Sequence, residues 1–120
     1  MAVQIETKYG IIDLDSDVIA IVVGLAATDN YGVVGMASRN QFKDSIIEVL
    51  KRDNFSRGVS IKQDGDNIIV DVSIIVLYGT KISEICRNTQ QRVKYDLERI
   101  LGIRANKVNI YVEGVRNIES

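Results

Sequence analysis

Apolar and polar positions recur with two different periods along this chain, and the switches between them mark its elements. Residues 3–14 are β-prone and broken by Tyr9-Gly10, which fits a short hairpin or an extended arm. Asp15 or Ser16 then offers an N-cap, and Asp17 puts negative charge in the first turn of a helix. Val18, Ile19, Ile21, Val22, Val23, Leu25 and Ala26 cover most of that helix's circumference. A helix apolar on nearly all sides has to be covered from more than one direction, by its own sheet or by another subunit. Its β-branched residues give it little intrinsic helix propensity. A buried strand of that length would be unusual, so the stretch reads as helix. Thr28-Asp29-Asn30-Tyr31-Gly32 ends it.

Val33 to Ala37 predicts a short strand. Ser38 and Gln41 stand at capping-box spacing, and Phe42, Ile46, Val49 and Leu50 follow at i, i+4, i+7 and i+8, which predicts an amphipathic middle helix. A polar loop holding Phe55 runs on to Arg57. Val59 and Ile61 then alternate with Ser60 and Lys62, and Asp64-Gly65-Asp66-Asn67 supplies turn chemistry. Ile68, Val70, Val72, Ile74 and Val76 share one face of a long returning strand. Its other face carries Asp71 and Ser73 but also Ile69, Ile75 and Leu77, so the strand reads as half exposed near its start and covered on both faces near its end. Ile82, Ile85, Thr89, Val93, Leu97 and Ile100 predict the buried stripe of the longest helix, with Cys86 beside it and Gly102 at its C′ position. Residues 108–112 predict the final strand, with Asn109, Tyr111 and Glu113 turned away from Val108, Ile110 and Val112.

This order predicts a single α+β domain over residues 1–120, with a mixed or antiparallel sheet of three to four strands and helices packed mainly on one face. A ferredoxin-like or split β-α-β arrangement is its simplest form. The length is that of one ordinary domain, and 46% hydrophobic residues suffice for one core. Fifteen basic residues nearly balance sixteen acidic ones, and the net charge of −1 gives no general pull toward nucleic acid or anionic membrane. The N-terminus lacks a basic start followed by an apolar h-region. The longest apolar run, residues 18–27, is well short of the roughly 20 residues that span a bilayer. A cytoplasmic location is expected.

The chain has no His, which removes the usual neutral-pH base and the commonest metal ligand and excludes Ser-His and Cys-His triads. One Cys allows no internal disulfide and no Cys-rich zinc site, and Cys86 reads as a small buried hydrophobe. Asp13, Asp15 and Asp17 resemble the start of a calcium loop, but Val18 stands where that loop needs Gly and Gly24 where it needs a carboxylate. Asp64 and Asp66 flank Gly65 on a tight turn, where Asp is favoured for backbone reasons. Gly32-Val33-Val34-Gly35 has the spacing of the RNA-clamping loop of KH domains, with an apolar middle pair where that loop is polar or basic. Arg39, Lys43, Lys51, Arg52 and Arg57 cluster around the middle helix, interleaved with Asp44, Glu48 and Asp53 as on a solvated surface. No catalytic residue, cofactor site or metal site is expected. The surface offers Arg87, Gln91, Lys94, Tyr95 and Glu98 opposite the buried stripe of the longest helix, and Tyr111 on the outer face of the last strand. Tyr and Arg are enriched where proteins meet, which makes these six the partner-binding candidates.

Four segments stand out together: Tyr9-Gly10-Ile11-Ile12 before the first helix, Tyr31-Gly32-Val33-Val34-Gly35-Met36 after it, the run from Val70 to Val76 with Tyr78-Gly79, and the run from Val108 to Val115. Taken together they resemble the alkaline shock protein family of bacterial envelope-stress proteins. Their order and spacing cover nearly the whole chain. The stretch from Gln41 to Arg57 is longer than expected of many members and marks a subgroup with its own partner. The resemblance implies a cytoplasmic protein of Gram-positive-type bacteria, with no known catalytic activity and no catalytic residues to carry over. It implies a link to cell-envelope homeostasis, attachment of some members through a separate small membrane-anchoring protein, and self-association of some. One subgroup is similar to proteins encoded beside a dihydroxyacetone-kinase-like fatty acid kinase, which suggests a lipid-metabolism context.

Residues and resemblance together give an expectation of a non-enzymatic, protein-binding adaptor or scaffold that forms homo-oligomers, with no DNA partner. The alternative is an RNA-binding module with a KH-like fold.

Overall fold

A computed structural model describes residues 2–38, 49–50 and 52–117. The β-prone start is a hairpin, β1 (Ala2–Thr7) antiparallel to β2 (Gly10–Asp15). Asp15 ends it and caps α1 (Ser16–Thr28), its Oδ1 accepting from the Asp17 N–H at 2.9 Å. The far end of α1 is closed by side chains, with Thr28 Oγ1 donating to the Gly24 carbonyl at 2.8 Å and Asn30 Nδ2 to the Ala26 carbonyl at 2.9 Å. These local bonds, with burial of Ile19, Ala20, Val23, Ala26 and Ala27, hold β-branched residues in a helix that propensity alone would not form.

The main sheet has β3 (Val33–Ala37), the two-residue β4 (Val49–Leu50), β5 (Val59–Asp64), β6 (Asn67–Leu77) and β7 (Lys107–Arg116). β6 is its axis. One edge of β6 pairs in parallel with β7, while antiparallel β5 and β3 share the other, β5 opposite residues 67–72 and β3 opposite 74–76. The sheet is thus mixed, one of the two forms expected. The split arrangement is not formed: β6 and β7 are direct neighbours joined through α2 (Ile82–Asp96).

Val70, Val72, Ile74 and Val76 of β6 are fully buried beneath the helices, with Met36, Val23, Val93 and Leu97 in the same core. On the opposite face Asp71, Ser73 and Ile75 are also buried, so coverage of both faces begins earlier along β6 than the sequence pattern implies. Polar cross-strand pairs explain how that face tolerates burial. Asn109 Nδ2 donates to Asp71 at 2.8 Å and Ser73 Oγ to Glu113 at 3.1 Å.

Val49 and Leu50 belong to β4, paired with Ala37 and Met36, and not to a helix; the rest of that predicted middle helix lies outside the described residues. The expected polar loop is a 3-10 segment, Arg52–Gly58, and its Phe55 is buried against α1. Glycine is required at position 24 of α1, because a Cβ there would meet the Phe55 ring.

Candidate functional site

Among the described residues, α1 buries one side and leaves the other partly exposed. Val18, Ile21 and Leu25 lie at i, i+3 and i+7 on its outward side, and Ile21 and Leu25 are 47% and 40% exposed. The helix geometry that sends Ile19, Val23 and Ala26 into the core sends these three the other way. The sequence requirement that α1 be covered from more than one direction is therefore only half met among the described residues.

Beside this stripe, α1 and the C-terminal part of α2 form a groove of about 360 Å³. Val22, Leu25, Ala26 and Ile100 give it an apolar floor, and Asp29, Arg92 and Asp96 line its polar side. Arg92 clamps the two helices, with Nη2 2.7 Å from Asp29 and Nε 3.2 Å from Asp96. These bonds, to Asp29 first and then Asp96, raise the guanidinium above its already high ordinary pKa, so it stays charged. Arg99 reaches Asp96 at 3.5 Å and lies over the Tyr95 ring, 5.7 Å from its centroid. The polar rim is thereby continuous with the outer surface of α2.

Ile100 belongs by its spacing to the buried stripe of α2, yet it is 51% exposed; Ile82, expected in the same stripe, is also exposed. The α-helix ends at Asp96, and Leu97–Leu101 form a π-helical turn closed by Gly102 at φ 70°. The wider turn breaks the 3.6-residue repeat, so Ile85, Thr89, Val93 and Leu97 stay inside while Ile100 swings toward the groove.

Of the six partner-binding candidates, the structure brings five together. Arg87, Gln91, Lys94, Tyr95 and Glu98 are exposed on the outer side of α2 and its π turn, and none of them lines the groove. Tyr111 is separate, on the sheet face turned away from the helices. The sequence reading missed the groove residues Asp29, Arg92 and Asp96, because no motif joins positions so far apart in the chain; the surplus of apolar residues in α1 was the available signal. A second exposed apolar feature is the β1–β2 tip, where Tyr9, Ile11 and Ile12 surround a shallow hollow.

The other candidates have structural positions. Gly32 and Gly35 do not bound a loop between helices: Val33 to Gly35 are part of β3, and Gly32, at φ 92°, packs under Ile85. Asp64 ends β5 and Asp66 lies in the turn around Gly65 at φ 61°. Of the basic cluster, the side chains of Arg39, Lys43, Lys51 and Arg52 lie outside the described residues, and Arg57 is exposed. Among the described residues no three His, Cys, Asp or Glu side chains are placed to hold a metal ion, and every buried side-chain nitrogen or oxygen has a partner. No helix among them is long and apolar enough to cross a membrane.

Burial pushes the Cys86 thiol up from its ordinary pKa. Only the thiolate is the nucleophile, so Cys86 is expected to react with iodoacetamide at pH 8 several-fold more slowly in the folded protein than in urea. Mass spectrometry over a time course checks this; equal rates would show a thiolate fraction unaffected by the fold.

No solved structure matches the chain. It is 53% identical over 116 residues to the uncharacterized protein YloU of Bacillus subtilis, covering 97% of each chain. It is 47% identical to the uncharacterized protein Spy1614 of Streptococcus pyogenes serotype M6, covering 97% of this chain and 96% of that one. To the uncharacterized protein YqhY of Bacillus subtilis it is 26% identical over 92% of this chain and 81% of the other. Residues 4–117 match the model of the alkaline shock protein 23 family, described as having a cell envelope-related function. With the motifs in place on the hairpin, β3, β6 and β7, the chain belongs to that family, the one its sequence resembles.

Proposed function

We propose that this protein is a non-enzymatic, self-associating adaptor that serves the bacterial cell envelope by docking an apolar segment of a partner protein along α1. The observation that carries this reading is the uncovered stripe Val18, Ile21 and Leu25 running into a groove floored by Val22, Ala26 and Ile100. Contiguous exposed apolar surface with a polar rim is what a protein interface requires and what a monomer in water otherwise avoids. The stripe follows helical spacing, so the fitting partner element is an amphipathic helix with anchors at i, i+3, i+4 and i+7. Asp29 and Arg92 at the rim supply both signs of charge, and Tyr95 with Arg99 extends the contact onto α2. A small membrane-anchoring protein is the partner class we propose, since the family's function is related to the envelope.

A photo-crosslinking residue placed at Ile21 or Ile100 and activated in bacterial cells tests the reading. The expected result is a discrete adduct to one membrane-associated protein, lost when Leu25→Glu is added and absent with the probe at Lys62 of β5. A ladder of adducts identical for Ile21, Ile100 and Lys62 would overturn it.

A further inference from the structure

We propose, on the strength of the adaptor reading, that the partner helix docked along α1 is basic at one end. Its Lys or Arg residues meet three carboxylates, Asp13, Asp15 and Asp17, where the apolar stripe begins. From Tyr9 to Ser38 the chain carries four Asp and no Lys or Arg, although the whole chain is nearly balanced. The imbalance is therefore local to β2, α1 and the segment after it.

The four acids are not equivalent. Asp29, at the groove end, is already paired with Arg92, and Asp96 with Arg92 and Arg99, so the charges at that end cancel. Asp13, Asp15 and Asp17 are exposed and form no ion pair among the described residues. Their carboxylates accept from uncharged donors: Asp15 from the Asp17 N–H, and Asp13 from Gln4 Nε2 at 3.4 Å. Such bonds leave the negative charge in place. Lys8, the nearest base in sequence, lies over the Tyr9 ring at the hairpin tip, 5.2 Å from its centroid. Capping and the helix dipole account for Asp15 and Asp17. They give no reason for Asp13, which lies on a strand.

Helical geometry sets the acidic end beside the stripe. Asp17 precedes Ile21 by one turn, so it adjoins the exposed side formed by Val18, Ile21 and Leu25. From Asp17 to Leu25 the helix rises about 12 Å. A docked helix thus carries its charge about two turns from the anchor that enters the groove beside Ile100. The same charges disfavour other occupants. Two α1 stripes laid parallel would oppose acid to acid. Laid antiparallel, they would set each acidic end against a groove end whose charges are already paired. An anionic lipid surface would be repelled. A Lys- or Arg-bearing amphipathic helix fits both the stripe and its acidic end, and complementary charge at a rim orients the encounter.

Labelled amphipathic peptides test this on the full chain by fluorescence anisotropy. They share a leucine stripe at i, i+3, i+4 and i+7 and differ in a terminal run of Lys or of Glu, each made with that run at either end. At low salt the better Lys peptide is expected to bind about tenfold more tightly than either Glu peptide, the sum of a few exposed ion pairs. The preference is expected to vanish in about 1 M salt, where the screening length is about 3 Å, and to reverse in Asp13→Lys/Asp17→Lys. Asp13→Lys alone, outside the helix, is expected to narrow it about twofold and decides the matter if Asp17→Lys unfolds α1. Equal affinities, or a preference for Lys that survives both substitutions, would overturn the basic end. If Leu25→Glu then removed both kinds of peptide alike, the adaptor reading would stand without it. Binding by no peptide would overturn the basic end as well, and the in-cell crosslink from Ile21 would judge the adaptor reading on its own.

Discussion

Phe55→Ala is expected to cost the fold about 3–5 kcal/mol, and Gly24→Ala is expected to be harmful only while Phe55 is present. The Phe55 ring is buried against the one position of α1 where no side chain intervenes. A Cβ on Gly24 would fall 2.7 Å from Phe55 Cγ and 2.9 Å from Cε2, and closer still to Cδ2. A buried planar ring has no flexible end to yield, so in the natural background the added methyl overpacks the contact at a cost of about 1–3 kcal/mol. Against this, alanine in a helix interior gains roughly 0.5–1 kcal/mol over glycine. With Phe55→Ala in place the clash is gone and only that gain remains, so Gly24→Ala changes sign. A double-mutant cycle by urea unfolding reads the coupling directly. Additive effects would show that the 3-10 segment does not pack on α1 as described. The cycle also locates the job of the long stretch after β3: its last part supplies the wall that α1 lacks on the side away from α2.

How much of this could be read in the sequence depends on how local each cause is. The hairpin β5–β6, the Asp15 cap and the Gly102 stop rest on neighbouring residues, and each was legible. A mixed or antiparallel sheet with helices mainly on one face followed from element order. What escaped was set by distant partners. Val49 and Leu50 fit a helical stripe, yet the open edge of β3 captures them as a strand. Phe55 sits in a polar stretch, so burial against Gly24 had no local signature. Ile100 continues a 3.6-residue pattern that the π turn breaks. For the candidate site, excess apolar residues in α1 announced a missing cover, but not the groove formed with Arg92 and Asp96. The five exposed α2 candidates were found by helical arithmetic, and Tyr111 by strand alternation; the two rules place residues on faces without saying which faces adjoin.

Ile74→Ala is expected to lower stability by about 2–5 kcal/mol, while Ile21→Ala on α1 is expected to change it by less than about 0.5 kcal/mol. Ile74 is fully buried at the centre of β6, in register with Met36 of β3 on one side and Val112 of β7 on the other. Three strands meet there, so neither neighbour can move to fill a cavity without pulling its own ladder out of register. For a chain of this size the loss corresponds to roughly 8–20 °C in Tm, read by calorimetry. Ile21 offers the contrast: it is as apolar, but 47% exposed, and alanine is the better helix former. The comparison tests more than packing. A residue kept greasy for the fold must cost stability when trimmed, whereas one kept for a partner must not, as long as the partner is absent. If trimming Ile21 in the purified protein proved as damaging as trimming Ile74, the outward side of α1 would already be covered by a second copy, and the groove would belong to self-association instead of to adaptor binding.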